Sequence, residues 1–172
     1  MLIKMVGSAL LVAGGAGVGI YYGMQPQLRS KQLGEIEKGL MVMYSETEYG
    51  RTCLEPMCIK AGKIMKDGDE NIFSNFAARL SEKQGENIAE IWTHVIYNED
   101  KCYLTKNDIY TIAELGNYLG CGDVKRQLNG IKMLLNYIEQ CKADLKEESA
   151  KEMRLWRSTG ILAALFVVIL LF

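Results

Sequence analysis

The charges of this chain stop abruptly at both ends, and that boundary constrains its fold more than any other feature. No residue from Met5 to Leu28 carries a charge, and none does from Ser158 to Phe172. The 20 Lys and Arg and 21 Asp and Glu fall almost entirely between Leu28 and Trp156. Such a middle segment is built for water and is long enough to bury one core. The ends ask for a different solvent. Gly160 to Phe172 would be about 20 Å long as a helix, short of a roughly 30 Å hydrocarbon core. Continuing it back through Thr159, Ser158 and Trp156, with Arg154 and Arg157 reaching to the headgroups, closes the gap. The N-terminal run from Met5 to Tyr22 is long enough to span, with Tyr21 and Tyr22 where an interfacial aromatic belt would lie. A rival reading makes it a cleavable signal peptide with Lys4 as its charged region, but the apolar stretch outruns a typical signal core. Arg29, Lys31 and Lys38 follow the first apolar run, and Lys151, Arg154 and Arg157 precede the second. The positive-inside rule then puts the middle in the cytoplasm. The expected architecture is all-α: an N-terminal transmembrane helix over 1–25, a six-helix cytoplasmic bundle over 26–156, and a C-terminal transmembrane helix over 157–172, continuous with the last bundle helix.

Helical spacing runs through the middle, and no strand-length alternation interrupts it. Pro26 suits a first helical turn, and Leu28, Leu33, Ile36, Leu40, Met43 and Thr47 then recur on one stripe until Gly50. Thr52 and Glu55 read as a capping box opening a second helix, with Leu54, Met57, Ala61 and Ile64 inward. Asp67-Gly68-Asp69 marks a turn. Ile72, Phe73, Phe76 and Leu80 define a third helix, and Ile88, Ile91, Trp92 and Val95 a fourth behind the cap Asn87. A fifth begins at Thr105 to Asp108 and carries Ile109, Ile112, Ala113, Gly116 and Leu119 before Gly120-Cys121-Gly122 closes it. Asp123 caps a sixth, with Val124, Leu128, Ile131, Leu135, Ile138 and Leu145 at steps of three and four, broken by Lys142.

Composition excludes several functions. A net charge of -1 gives phosphates nothing to hold, so no nucleic acid is expected as partner. Five cysteines make an odd set without a disulfide framework, which fits a reducing compartment. Cys53 and Cys58 are followed by no second Cys pair or His cluster, and His94 is the only histidine, so no structural zinc site is expected, and the Glu and His set of a di-iron bundle is absent. No G-x-x-x-x-G-K-[ST] motif is present. An enzyme could be built only through Cys58 or His94, and neither has a neighbour at catalytic spacing. No catalytic residue, cofactor, metal or small-molecule substrate is expected. That leaves proteins and lipid as partners.

Five stretches carry a further pattern: Met1-Leu-Ile-Lys-Met-Val-Gly7, Arg29-Ser-Lys-Gln-Leu33, Glu46-Thr-Glu-Tyr-Gly-Arg-Thr-Cys-Leu54, Leu115-Gly-Asn-Tyr-Leu-Gly-Cys-Gly-Asp123 followed by Gln127, and the closing apolar tail. In these the chain resembles the stage III sporulation protein AB family of endospore-forming bacteria, nearly end to end. It departs at Thr47, where the family usually has an apolar residue, and at Cys53, where it usually has Pro.

The resemblance implies a non-enzymatic membrane scaffold in the channel joining mother cell and forespore. It places the protein in the mother-cell membrane around the forespore, its soluble domain facing the cytoplasm. That domain would be similar to the platform protein of type II secretion and type IV pilus machines, and would dock a companion stage III sporulation protein AA-like ATPase beside other channel proteins. Contact is then expected at two corners, Glu46, Tyr49 and Gly50 between the first two helices, and Gly116, Gly120 and Asp123 between the last two. Each residue but one also has a structural explanation: Tyr49 packs, Gly50 and Gly120 supply positive φ, Gly116 permits close approach, and Asp123 caps. Glu46 has no evident structural duty. A tail-anchored helical regulator unrelated to secretion machinery is the alternative, and a secreted binding module a more distant one.

Overall fold

A computed structural model describes residues 25–171, except 51, 66–70, 83–84, 86, 99–102 and 121, and describes 149–171 by backbone alone. All regular structure among the described residues is helical: α1 (25–45), α2 (Leu54–Ile64), α3 (Ile72–Glu82), α4 (Ile88–Tyr97), α5 (Lys106–Glu114) and α6 (Val124–Leu171). A π-helical turn, Glu46–Gly50, follows α1, and a 3-10 turn, Leu115–Tyr118, follows α5. One compact unit spans Arg29–Lys142; the described residues outside it, 25–28 and 143–171, are assigned to the other.

The core of the first unit grows from the expected stripes. Leu33, Ile36, Leu40 and Met43 of α1 are buried, as are Met57, Cys58 and Ala61 of α2, Phe73 and Phe76 of α3, and Ile131, Leu134 and Ile138 of α6. Trp92 of α4 is fully buried, with its ring 4.9 Å from Phe76, edge to face, and 6.0 Å from Phe73. Its indole N–H donates to the Ile112 carbonyl of α5 at 2.8 Å, so the polar edge of the largest core side chain is satisfied. Asn71 joins two helices. Its Oδ1 accepts from the N–H groups of Phe73 and Ser74 at 3.1 and 3.0 Å, and its Nδ2 donates to the Gly62 carbonyl near the end of α2.

Helix starts follow their capping chemistry. Asn87 Oδ1 accepts from the Ala89 N–H at 3.0 Å, and Thr105 with Asp108 forms a complete capping box at α5. Thr52 does not cap α2: the cap position is Cys53, without a side-chain bond, because the Thr52 hydroxyl is engaged with Glu46. Ile64, expected inward, is exposed, and Gly62 takes the buried position on that turn. Lys142, which breaks the apolar rhythm of α6, donates to Glu37 of α1.

The expected flanking transmembrane helices are corrected. No helix among the described residues is long and apolar enough to cross a membrane. Helices α2 to α5 have 9 to 11 residues, about 14–17 Å of rise against a roughly 30 Å hydrocarbon core. Charged residues punctuate α1 at Arg29, Lys31, Glu35, Glu37 and Lys38, and α6 at Lys132, Glu139, Lys142, Asp144 and Lys146. The architecture is an all-α six-helix bundle. The span assigned to 1–25 lies outside the described residues except at Gln25, as does the turn at Asp67 to Asp69; within 157–172 the backbone is helical to Leu171, as part of α6.

Candidate functional site

The first corner is built on the π-turn. Thr47 Oγ1 donates to the Met43 carbonyl four residues back at 2.7 Å, a bond of the kind that bends helices, and α1 widens there into Glu46–Gly50. Lys60 Nζ of α2 donates to Glu46 Oε1 at 2.8 Å, and Thr52 Oγ1 donates to Glu46 Oε2 at 2.5 Å. The Lys60 bond first, then that of Thr52, holds the Glu46 carboxyl below its ordinary range. Glu46 therefore does have a structural duty: it ties the turn to α2. Gly50 serves the same clamp by being small, since a Cβ there would stand 2.8 Å from both Glu46 Oε2 and Thr52 Oγ1. It is not among the positive-φ glycines.

Tyr49 does not pack. It is 80% exposed, and Glu48 beside its hydroxyl raises its pKa. The backbone beneath is nonetheless fixed, by Glu46 on one side and on the other by Gln127 Nε2 of α6, which donates to Thr47 Oγ1 at 3.2 Å.

The second corner keeps its expected structural roles. A Cβ on Gly116 would come within 2.9 Å of Trp92 and 3.2 Å of the Ala89 Cα, so only glycine lets the 3-10 turn lie this close to α4. Gly120 has φ +69° and faces Ile88. Asp123 Oδ1 accepts from the N–H groups of Lys125 and Arg126 at 2.9 and 3.3 Å and so caps α6.

The six residues do not converge on a point, since Gly116 and Gly120 face α4. The two corners share a neighbour, however. The first turns of α6 carry Gln127 against Thr47, while the Arg126 guanidinium lies 5.9 Å from the centre of the Tyr118 ring and Gly130 packs beneath it. Both corners thus meet α6 at the same end of the Arg29–Lys142 unit. The exposed residues there include Glu48, Tyr49, Gly50, Asp123, Val124, Lys125 and Arg126. They can bind a protein and offer no nucleophile with an adjacent base.

A cluster outside these corners was not anticipated. Asp108, fully buried on α5, takes Arg29 Nε on Oδ2 at 2.8 Å, Arg29 Nη2 on Oδ1 at 2.9 Å, the Tyr137 hydroxyl on Oδ1 at 2.7 Å and the Thr105 N–H on Oδ2 at 2.7 Å. Cys141 Sγ lies 4.0 Å from Oδ1. Burial alone would raise this carboxyl, but the bonds from Arg29, Tyr137 and Thr105 outweigh it and bring it down to about 2. Burial, followed by the bond to Asp108, pushes Tyr137 up. The sequence signal was an Asp at a capping position that also falls in register with buried Ile112 and Leu115. The arrangement fastens α1, α5 and α6 to one another.

The description "Stage III sporulation protein AB" belongs to a family whose profile matches residues 4–172. The chain is 25% identical over 171 residues to the stage III sporulation protein AB of Bacillus subtilis (strain 168), covering 99% of each. A solved structure described as stage III sporulation protein AB shares its fold with a TM-score of 0.64 at 22% identity, over 72% of this chain and 97% of that one.

Proposed function

The chain belongs to the stage III sporulation protein AB family, and from that premise we propose that its helical domain is a docking platform for a companion stage III sporulation protein AA-like ATPase. Within the sporulation machinery the protein is a non-enzymatic scaffold component. The ATPase would grip the end where the π-turn and the 3-10 turn meet α6, using Tyr49 with Gly50 and the Asp123 corner. Glu46, Gly116 and Gly120 would hold that surface in shape. The domain would work on the cytoplasmic side of the mother-cell membrane around the forespore. The free thiols of Cys53, Cys58 and Cys141 support a reducing setting.

One observation carries the reading. An aromatic ring 80% exposed on a turn clamped from two sides is the arrangement that binds proteins with little ordering cost. The test is co-purification of the full chain with the companion ATPase, followed by titration of Tyr49→Ala. We expect the parent to bind and the variant to lose about tenfold or more, with its helical circular dichroism unchanged. A parent that fails to bind ends the reading, and a variant that binds as the parent does removes Tyr49 from it. Glu46→Arg is a poorer probe because it also breaks the clamp.

A further inference from the structure

A second surface lies on α4 and α5. These helices run antiparallel, with Trp92 against the Ile112 carbonyl and Ala89 against Gly116. That register sets exposed Glu90 beside the end of α5 at Glu114, and exposed Tyr97 toward its start. Tyr110 and Glu114, four residues apart, share a face. Glu114 lies close enough to the Tyr110 hydroxyl to raise its pKa, and the Tyr97 phenol is within electrostatic reach. Tyr97 and Tyr110 are 60% and 57% exposed. Neither Glu90 nor Glu114 has a cationic partner among the described residues, whereas Glu35, Glu37, Glu46 and Asp108 are paired.

From this juxtaposition we propose that Glu90, Glu114, Tyr110 and Tyr97 form a docking stripe for an arginine-bearing segment of a protein partner. The faces of the two phenol rings attract a cation, and the carboxylates offer the paired acceptors a planar guanidinium matches. A nucleic acid is repelled by the same carboxylates. Lys106 borders the stripe at the Tyr97 end and His94 sits on α4 between Glu90 and Tyr97, so the guanidinium settles toward Glu114. The surface uses different elements from the π-turn, and its use does not depend on the ATPase reading. A scaffold that joins proteins needs more than one such face.

The test titrates the full chain with a blocked Gly-Arg-Gly-Arg-Gly peptide, with its lysine counterpart, and with phosphatidylcholine vesicles. We expect saturable binding of the arginine peptide, about threefold or more tighter than the lysine one. Tyr97→Ser with Tyr110→Ser should weaken it about tenfold, and Tyr49→Ser should leave it unchanged. These substitutions keep the net charge, so loss reports the rings rather than general attraction. Glu114→Lys reads the same surface by charge reversal should the double variant lose helicity. Equal binding by parent and double variant, equal loss in Tyr49→Ser, or vesicle binding that exceeds peptide binding and falls in the double variant would each overturn the proposal.

Discussion

Replacing Asp108 by Asn keeps the size of the side chain and removes its charge. The carboxylate is acceptor-only, and it takes two Arg29 donors, the Tyr137 hydroxyl and the Thr105 N–H. An amide turns one of its two ends into a donor, so whichever way it lies, two of those four groups face an N–H. Losing one partner of a buried ion pair costs about 3–5 kcal/mol. Arg29 is 23% exposed and can recover some hydration, which puts the expectation near the lower end, about 3 kcal/mol. Urea unfolding of the full chain, followed by circular dichroism, measures it. The pH dependence separates charge from shape. Because the folded Asp108 pKa is depressed, its contribution is complete above the ordinary 3.8 and is lost as pH falls toward about 2. That difference is worth about 2 kcal/mol at roughly 1.4 kcal/mol per pH unit. The gap between parent and variant should therefore be constant near neutrality and shrink by about that amount between pH 4 and pH 2. A gap below about 1 kcal/mol, or one that does not change with pH, would refute the assignment of Asp108 as the charged hub of the fold.

Three further outcomes follow from single contacts. Gly120→Ala combines φ +69° with a Cβ that would overlap Ile88, whereas Gly122→Ala has φ +71° and open space. Thermal unfolding should show about 1 kcal/mol lost at Gly122 and distinctly more at Gly120. Trp92→Phe removes the N–H that satisfies the Ile112 carbonyl and leaves part of the core unfilled, so urea unfolding should show a loss of about 2–4 kcal/mol. Burial pushes the Cys58 thiol up to about 12, so iodoacetamide at mildly alkaline pH should modify exposed Cys53 and spare Cys58 until the protein unfolds, as read by peptide mass spectrometry.

Helix positions and caps were legible because they rest on interactions within a few residues. Asn87, the Thr105–Asp108 box and Asp123 lie where local chemistry puts them. Three positions share a cause, a network that reaches a partner distant in the chain. Thr52 and Glu55 match a capping box, but Thr52 is claimed by Glu46, which in turn is held by Lys60, 14 residues away. Lys142 looked like an interruption in α6 until Glu37, 105 residues away, came opposite. Asp108 was read for its local role alone, and Arg29, 79 residues away, converts the same carboxylate into a tertiary anchor. The transmembrane expectation failed differently, because it rested on the end segments, while the described helices are short or studded with charge.

For a protein without chemistry of its own, the contrast between satisfied and unsatisfied polar groups sorts structure from function. The buried carboxylate of Asp108 has its acceptors filled, and every buried side-chain polar atom among the described residues has a partner. Such groups set register, and a scaffold whose helices slipped would present its surfaces at the wrong spacing. Exposed tyrosines are the opposite case. Tyr49, Tyr97 and Tyr110 keep large rings in water while Trp92, Phe73 and Phe76 are fully buried. Each exposed ring leaves unrealised about 2–3 kcal/mol that burial would contribute. Tyr49 and Tyr110 each have a glutamate close enough to raise the phenol pKa, Glu48 and Glu114, so the ring face and carboxylate are presented together. A fold that spends its internal polar bonds on rigidity and leaves its aromatic rings uncovered has its free energy of association in reserve for other proteins. Serine substitutions at these three positions should accordingly weaken assembly and leave unfolding unchanged within about 0.5 kcal/mol; coupled losses in both would show that the rings serve the fold.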